Sequence, residues 1–247
     1  MKLSKFAKNK IDNILELIYP STIYCINCGK IIDNTRTYKL CNDCMDNFKW
    51  IGERNCKKCG KPLSVYNNSD TCYNCKEYTH NFDKGYTCVE YGTLEKNMLF
   101  NLKFESKTYI ADTIGEMMHD RMHDTYDIVC PIPISKEKLH KRGFNQAALI
   151  AKSFAGRTGI HYEPNLIVRK VDTVAMKGLS PSERRLNVSG AFVVPEYNLY
   201  KVKDAEILIV DDIYTTGATI DEAALTLKKN GAKSVDFISF ASGADVL

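Results

Sequence analysis

The sequence predicts an α/β domain with a parallel sheet flanked by helices, preceded by a small module with two four-cysteine zinc sites. Two observations support this prediction. The uncharged apolar run Ile207–Val210 is followed, after a polar turn, by apolar residues at helical spacing, which is the strand–turn–helix order of a parallel sheet. Of the ten cysteines, eight lie between Cys25 and Cys75 in four Cys-x-x-Cys pairs.

Composition narrows the protein class. The chain has 247 residues, of which 44% are hydrophobic and 26% are charged, as in ordinary globular proteins. No apolar run approaches the roughly 20 residues of a membrane span, and the N-terminus has no uninterrupted apolar signal core. We therefore expect a cytoplasmic protein without a membrane span. The formal net charge of +4 is too small to indicate a polyanion-binding surface by itself.

The pattern along the chain divides it into three parts. Residues 1–20 alternate lysines with apolar residues and predict an amphipathic N-terminal helix, for packing or for docking on a partner or an anionic surface. Residues 21–80 form the double zinc module, and residues 81–247 form the α/β domain.

The cysteine spacing recurs as a repeat. Each set has two Cys-x-x-Cys pairs twelve residues apart, and the sets are Cys25, Cys28, Cys41 and Cys44, and Cys56, Cys59, Cys72 and Cys75. Four thiolates leave zinc no open position, so two structural zinc ions are predicted. The alternatives are buried cysteines or redox pairs, and the spacing leaves sequential and interleaved pairing both open. We expect a chelator to unfold residues 21–80 and to leave the larger domain folded.

The turn after the apolar strand carries groups suited to a sugar phosphate. Hydroxyls of Thr215, Thr216 and Thr219, a close-approach Gly217 and the start of a helix favour an anion. Asp211 and Asp212 can accept hydrogen bonds from vicinal hydroxyls, so the turn fits a ribose 5-phosphate. The alternative is a strand–turn–helix with a fortuitous motif. It is not a P-loop, because no lysine follows the glycine.

Other elements follow from local patterns. Asp127–Ile134 reads as a strand ending in two prolines, and Ala147, Ile150, Ala151 and Phe154 keep helical spacing. Leu166–Val171 and Gly190–Val194 read as further strands. The polar stretch 172–189 between them reads as a loop.

The motif Ile207–Thr219, ILIVDDIYTTGAT, resembles the phosphoribosyl pyrophosphate (PRPP) signature of the type I phosphoribosyltransferases. The resemblance implies that fold, with magnesium accompanying PRPP. It implies that Asp211 and Asp212 hold the ribose hydroxyls and that the 5′-phosphate is held by Thr215, Thr216, Gly217, Ala218 and Thr219. The stretch 172–189 takes the place of the loop that closes over PRPP, where the residues facing pyrophosphate would be Lys177, Arg184 and Arg185. The alternative is a solvated basic loop.

The order of motifs further resembles the ComF family. The motifs are the double cysteine module, LKF (Leu102–Phe104), PIPIS, RGFNQA (Arg142–Ala147) and LSPSERRLNVSGAF, and they extend from Cys25 to the C-terminus. Family members are associated with natural competence, which implies DNA uptake, single-stranded DNA and other competence proteins as partners. One departure is Met176, which stands where the family often has Gln.

Two classes of function remain. The first is a protein that binds PRPP, a nucleotide or a ribose 5-phosphate ligand and handles single-stranded DNA. Its candidate DNA contacts are Lys138, Lys141 and Arg142, or the lysines of the second cysteine set, Lys57, Lys58 and Lys61, with Trp50 and Phe144 as stacking or core residues. The alternative is an active transferase that moves phosphoribose to an unidentified base or amine, or a regulator that senses PRPP. No catalytic residue can be named from the sequence.

Overall fold

The computed structural model describes residues 23–170 and 180–245, in two compact units, Met1–Asn47 and Phe48–Leu247. In the described part of the first unit, the four cysteines of the first set surround one point, with a 3-10 turn at Thr37–Lys39 and helix α1 at Asn42–Asn47. We call this cysteine segment, residues 25–44, the first ribbon, and the segment 56–81, which holds the second set, the second ribbon. The second unit contains the second ribbon and the sheet.

Within the described part of the second unit the strands are β1 (Gly85–Glu90), β2 (Ile128–Pro131), β3 (His161–Tyr162), β4 (Val168–Arg169), β5 (Phe192–Val193), β6 (Glu206–Tyr214) and β7 (Ser234–Ser242). Five of them form a parallel sheet in the order β1-β7-β6-β2-β3. The longest strands, β6 and β7, are buried along most of their length, as expected for the centre of a parallel sheet.

The helices of this unit are α2 (Tyr73–Glu77), α3 (Thr93–Phe104), α4 (Ile110–Arg121), α5 (Lys136–Arg142), α6 (Gln146–Thr158), α7 (Pro181–Val188), α8 (Leu199–Val202) and α9 (Ala218–Lys229), with a 3-10 turn at Glu196–Asn198. Successive residues of β6 point to opposite faces of the sheet. Ile207 and Ile209 share a core with α9 and with three cysteines of the second ribbon. Helices α4 and α6 pack against each other and against the sheet. The α/β prediction is confirmed.

Three local predictions need correction. The segments read as strands at Leu166–Val171 and Gly190–Val194 contribute only β4 and β5, which pair antiparallel outside the main sheet. The stretch read as a loop contains α7, whose start is capped by Ser180 and Glu183. This Ser-Pro-Ser-Glu sequence is a capping box with proline at the first helical position. Strands β1 and β7 complete the sheet without having been predicted.

The predicted N-terminal helix, residues 1–20, lies outside the described residues. Among the helices described, none has the length and apolar character needed to cross a lipid bilayer.

Candidate functional site

The turn from β6 to α9 forms a pocket at the carboxyl end of the central strand. Gly217 has a φ of +83° and immediately precedes the first residue of α9. The pocket is lined by the predicted phosphate residues, together with one of the two acids and an arginine: Arg184, Asp211, Thr215, Thr216, Gly217, Ala218 and Thr219. Arg184 Nη1 lies 3.4 Å from the Thr215 hydroxyl. Backbone N–H groups at a helix start favour an anion here.

The end of strand β2 leaves space beside the two acids. Pro131 pairs with Val210, and the backbone N–H of Ile132 makes the last bond to that strand, so β6 continues beyond its neighbour. Asp211 and Asp212 therefore lie where the sheet opens, which is the usual ligand position in an open parallel sheet.

The two acids have different surroundings. Asp211 lines the pocket of the β6–α9 turn, whereas Asp212 is buried and forms an ion pair with Lys103 of α3. Gln146 Nε2 of α6 also lies 3.5 Å from Asp212 Oδ1. Alternation along β6 explains this divergence, because neighbouring side chains leave the strand on opposite faces.

These surroundings separate the pKa values of the acids. Burial and the adjacent charge of Asp212 raise the pKa of Asp211 well above its usual range. Burial acts to raise the pKa of Asp212 as well, but the Lys103 ammonium and the hydrogen bonds to this carboxylate hold it below its usual range. The two shifts have opposite directions, so Asp212 is the more readily ionised of the two acids, and Lys103 balances its charge.

A basic cleft adjoins the acids. Its cavity volume is about 440 Å³ and its lining residues are Lys103, Phe104, Ser106, Glu137, Lys138, Lys141 and Arg142. Desolvation and the positive charges of Arg169, Arg142 and Lys103 lower the pKa of Lys138. The cleft therefore concentrates positive charge, with Glu137 as its one acidic lining residue among those described.

The RGFNQ motif builds one wall of this cleft. Arg142 ends α5, Gly143 follows as a left-handed cap, and Asn145 caps α6 through the backbone N–H of Ala147. The Asn145 side chain also donates to the Ile132 carbonyl at 2.9 Å. Arg142 donates to the Gln146 side chain, which contacts Asp212. The motif thus fixes a link from the basic cleft to the acids.

The second ribbon holds the β6–α9 turn in place. Asn74 of α2 donates to the Thr216 carbonyl at 3.2 Å. Buried Asp221, in the first turn of α9, lies 2.7 Å from His80 Nδ1 and accepts the backbone N–H of Asn81 at 2.9 Å. Arg185 donates to the same carboxylate at 2.9 Å. The position of the turn therefore depends on the ribbon segment that holds these partners.

Both cysteine sets fit tetrahedral zinc. Zn–S bonds of about 2.3 Å require sulfur–sulfur edges of about 3.8 Å. The Cys28–Cys41 and Cys59–Cys72 sulfur pairs are each 3.6 Å apart, and within each set all four sulfurs lie within 4.8 Å of one another. Pairing is sequential, so the interleaved alternative is wrong. Gly29 and Gly60 both have a φ of +75°, as the knuckle turns require.

The other predicted residues divide into three groups. Lys177 and Met176 lie outside the described residues. Arg184 lies at the pocket, whereas Arg185 is committed to Asp221 and stacks on Tyr78. Two of the lysines near the second cysteine set already have partners, because Lys58 donates to the Asp83 carbonyl at 2.9 Å and buried Lys61 covers the Tyr214 ring.

Sequence reasoning assigned no role to Lys103, Gln146, Asn74 or Asp221. The first two lie within LKF and RGFNQA, so the motifs themselves were the available signal. Their distance along the chain from Asp212 hid the contact. Nothing in the sequence pairs Asn74 with the turn.

Gly217→Ala should destabilise the protein by more than about 1 kcal/mol and weaken phosphate binding. The positive φ strains any residue with a Cβ, and this Cβ would lie 2.8 Å from the Tyr214 hydroxyl. Denaturant unfolding and calorimetry with inorganic phosphate measure the two effects. Gly156→Ala is the matched control, because this helical position of α6 has open space around it. Equal behaviour of both variants would contradict the account.

Comparison with known proteins identifies the same two parts of the chain, the cysteine module and the α/β domain. Residues 14–93 match the family described as double zinc ribbon domain, and residues 141–245 match the phosphoribosyl transferase domain. Competence protein F of Haemophilus influenzae is 25% identical, over 85% of this chain and 93% of its own. Competence protein ComFC of Streptococcus pneumoniae is 27% identical, over 87% and 98%. DNA utilization protein YhgH of Escherichia coli O157:H7 is 27% identical, over 73% and 80%.

Proposed function

Because this chain belongs to the ComF family, with a double zinc ribbon domain before a phosphoribosyl transferase domain, we propose that it binds PRPP or a ribose 5-phosphate ligand and handles single-stranded DNA during DNA uptake. The observation that carries the proposal is the β6–α9 turn beside the Asp211–Asp212 pair. The relatives' names, which refer to competence and DNA utilization, support the DNA part.

The parts of the site suit the parts of PRPP. The 5′-phosphate would bind at Thr215–Thr219, where hydroxyls and helix N–H groups converge. Asp211 and Asp212 would accept the ribose hydroxyls where β6 extends past β2. Arg184, which lines the same pocket as the threonines, would face the pyrophosphate.

Magnesium would enter with PRPP and neutralise pyrophosphate charge. Carboxylate oxygens are suitable ligands for it, but Asp212 is already paired with Lys103. We therefore propose that phosphate oxygens and water supply most of its shell, with Asp211 and Glu137 as the nearby carboxylates of the pocket and the cleft.

We assign DNA-phosphate contacts to Lys138, Lys141 and Arg142 rather than to the ribbon lysines. The first three line one cleft, whereas Lys58 and Lys61 already contact Asp83 and Tyr214. All ten cysteines are free, which suits action in the reducing cytoplasm, where thiolates remain available for zinc.

Calorimetry on one purified sample tests the function. We expect binding of Mg-PRPP, and separately of single-stranded DNA with a shallow salt dependence equivalent to about three to five phosphate contacts. Lys138→Ala and Lys141→Ala should each reduce the salt slope by about 0.7, and Lys57→Ala should leave it unchanged. No PRPP binding would reject the ligand assignment, and no DNA binding at roughly 50 mM salt would reject the DNA role. Pyrophosphate release with one particular base or amine would establish the transferase instead.

A further inference from the structure

Two exposed aromatic rings stand at the edge of the basic cleft. Phe100 and Phe104, four residues apart on α3, are 50% and 59% exposed, and their ring centroids are 5.0 Å apart. The buried side of this helix is formed by other residues, Met98, Leu99 and Leu102. The two rings therefore form an exposed aromatic surface that does not contribute to the buried side of the helix.

This aromatic surface adjoins the positively charged side chains of the basic cleft. The Arg142 guanidinium lies 5.3 Å from the centre of the Phe104 ring, and Phe104 lines the same cleft as Lys138 and Lys141. A ligand that stacked on the ring would place attached anionic groups beside these cations.

We propose that Phe104, with Phe100 beside it, is a stacking platform for an unpaired base of single-stranded DNA whose phosphates lie in the basic cleft. The inference rests on the proposed function and deepens its DNA part. An aromatic ring beside cations matches a nucleotide unit, which has a flat base and an adjacent negative charge. An apolar protein partner would leave the cleft's positive charge without a counterpart.

The contacts of Trp50 argue against this residue as the platform. Its ring is stacked with Phe48, at a centroid distance of 5.5 Å, and its backbone bridges to Val89 of β1. Phe100 and Phe104, in contrast, are exposed and lie at the edge of the basic cleft.

Paired DNA probes separate stacking from charge. One probe is a dodecamer of thymidines, and the other is an abasic strand with the same number of phosphates. The wild-type protein should bind the thymidine strand about fivefold or more tightly than the abasic strand. Phe104→Leu should remove this preference without changing the abasic affinity or the salt slope. Lys138→Ala should reduce the slope and keep the preference.

Two further variants complete the test. Phe104→Trp should retain the preference, and in a Trp50→Phe background its fluorescence should be quenched by the thymidine strand but not by the abasic one. Tyr200→Leu is the control, because Tyr200 is a 74% exposed aromatic on α8. Its preference should equal that of the wild type.

The outcomes distinguish the two proposals. Equal wild-type affinity for both strands, or a preference that survives Phe104→Leu, overturns the platform while the DNA role stands. Quenching by free thymidine as strong as by the strand at equal concentration also overturns it and indicates an acceptor-base site. Binding of neither strand, with PRPP binding intact, rejects the DNA role itself.

Discussion

Cys59→Ser should destabilise the unit Phe48–Leu247 by about 4 kcal/mol or more, whereas Cys28→Ser should leave the unfolding of this unit unchanged. Loss of a structural metal belongs to the few changes with effects this large. Cys59 has no exposed surface, and with Cys56 and Cys72 it belongs to the same core as Ile207 and Phe237 of the sheet. Cys28 lies in the other compact unit and is exposed.

Elemental analysis and thermal unfolding measure this difference. Each variant should lose one zinc ion of the two expected per chain, but only Cys59→Ser should lower the main unfolding transition. An unchanged transition in Cys59→Ser, despite the loss of one zinc, would show that the ribbon does not stabilise the sheet. Two zinc ions retained by either variant would contradict the ligand assignment.

Contacts of the second ribbon change the expected effect of zinc chelation on the unit Phe48–Leu247. Spacing alone suggested a zinc module that unfolds without affecting the sheet. The structure instead joins the second ribbon to the phosphate turn through Asn74 and to α9 through His80 and Asn81. We therefore expect removal of the second zinc to weaken both the sheet-containing unit and its ligand site.

Local signals made part of this structure predictable. The eight zinc ligands follow from spacing, and the phosphate turn follows from one continuous motif whose strand and helix are its neighbours in the sequence. Even the missed helix α7 carries a local signal, the capping box of Ser180 and Glu183. Such features need only a few consecutive residues to define them.

Contacts between distant segments were not predictable in this way. Lys103 meets Asp212, and Asp221 meets His80, because the parallel sheet brings separate helices and the ribbon to one edge. Strand β1 has only six residues, and it is defined by pairing with β7 at the other end of the chain. A pattern within either segment does not contain that partner.

The two acids of the site should respond differently to replacement by asparagine. Asp212→Asn should destabilise the protein by about 3 kcal/mol, because it leaves the largely buried Lys103 without its ion-pair partner. Asp211→Asn should not, because burial and the charge of Asp212 disfavour the ionised form of Asp211, as its raised pKa shows. The double variant should lose at least about 1–3 kcal/mol of PRPP affinity through lost hydrogen bonds to charged acceptors.

The pH dependence of unfolding shows how each of the two acids contributes to stability. Because the folded-state pKa of Asp211 is raised, the folded protein keeps a proton that the unfolded chain loses near pH 4, so this group costs stability as the pH rises through the folded pKa. Asp211→Asn removes that cost, and its advantage over the wild type should grow above about pH 4.

The contribution of Asp212 to stability has the opposite sign, because its lowered pKa stabilises the fold above about pH 4 and this contribution disappears as the pH falls through the folded pKa. Denaturant unfolding from about pH 2 to 8 measures both contributions, with PRPP calorimetry at about pH 4 and 8. Unchanged PRPP affinity in the double variant would remove the acids from the site, and equal stability profiles for the two single variants would show that Lys103 does not distinguish them.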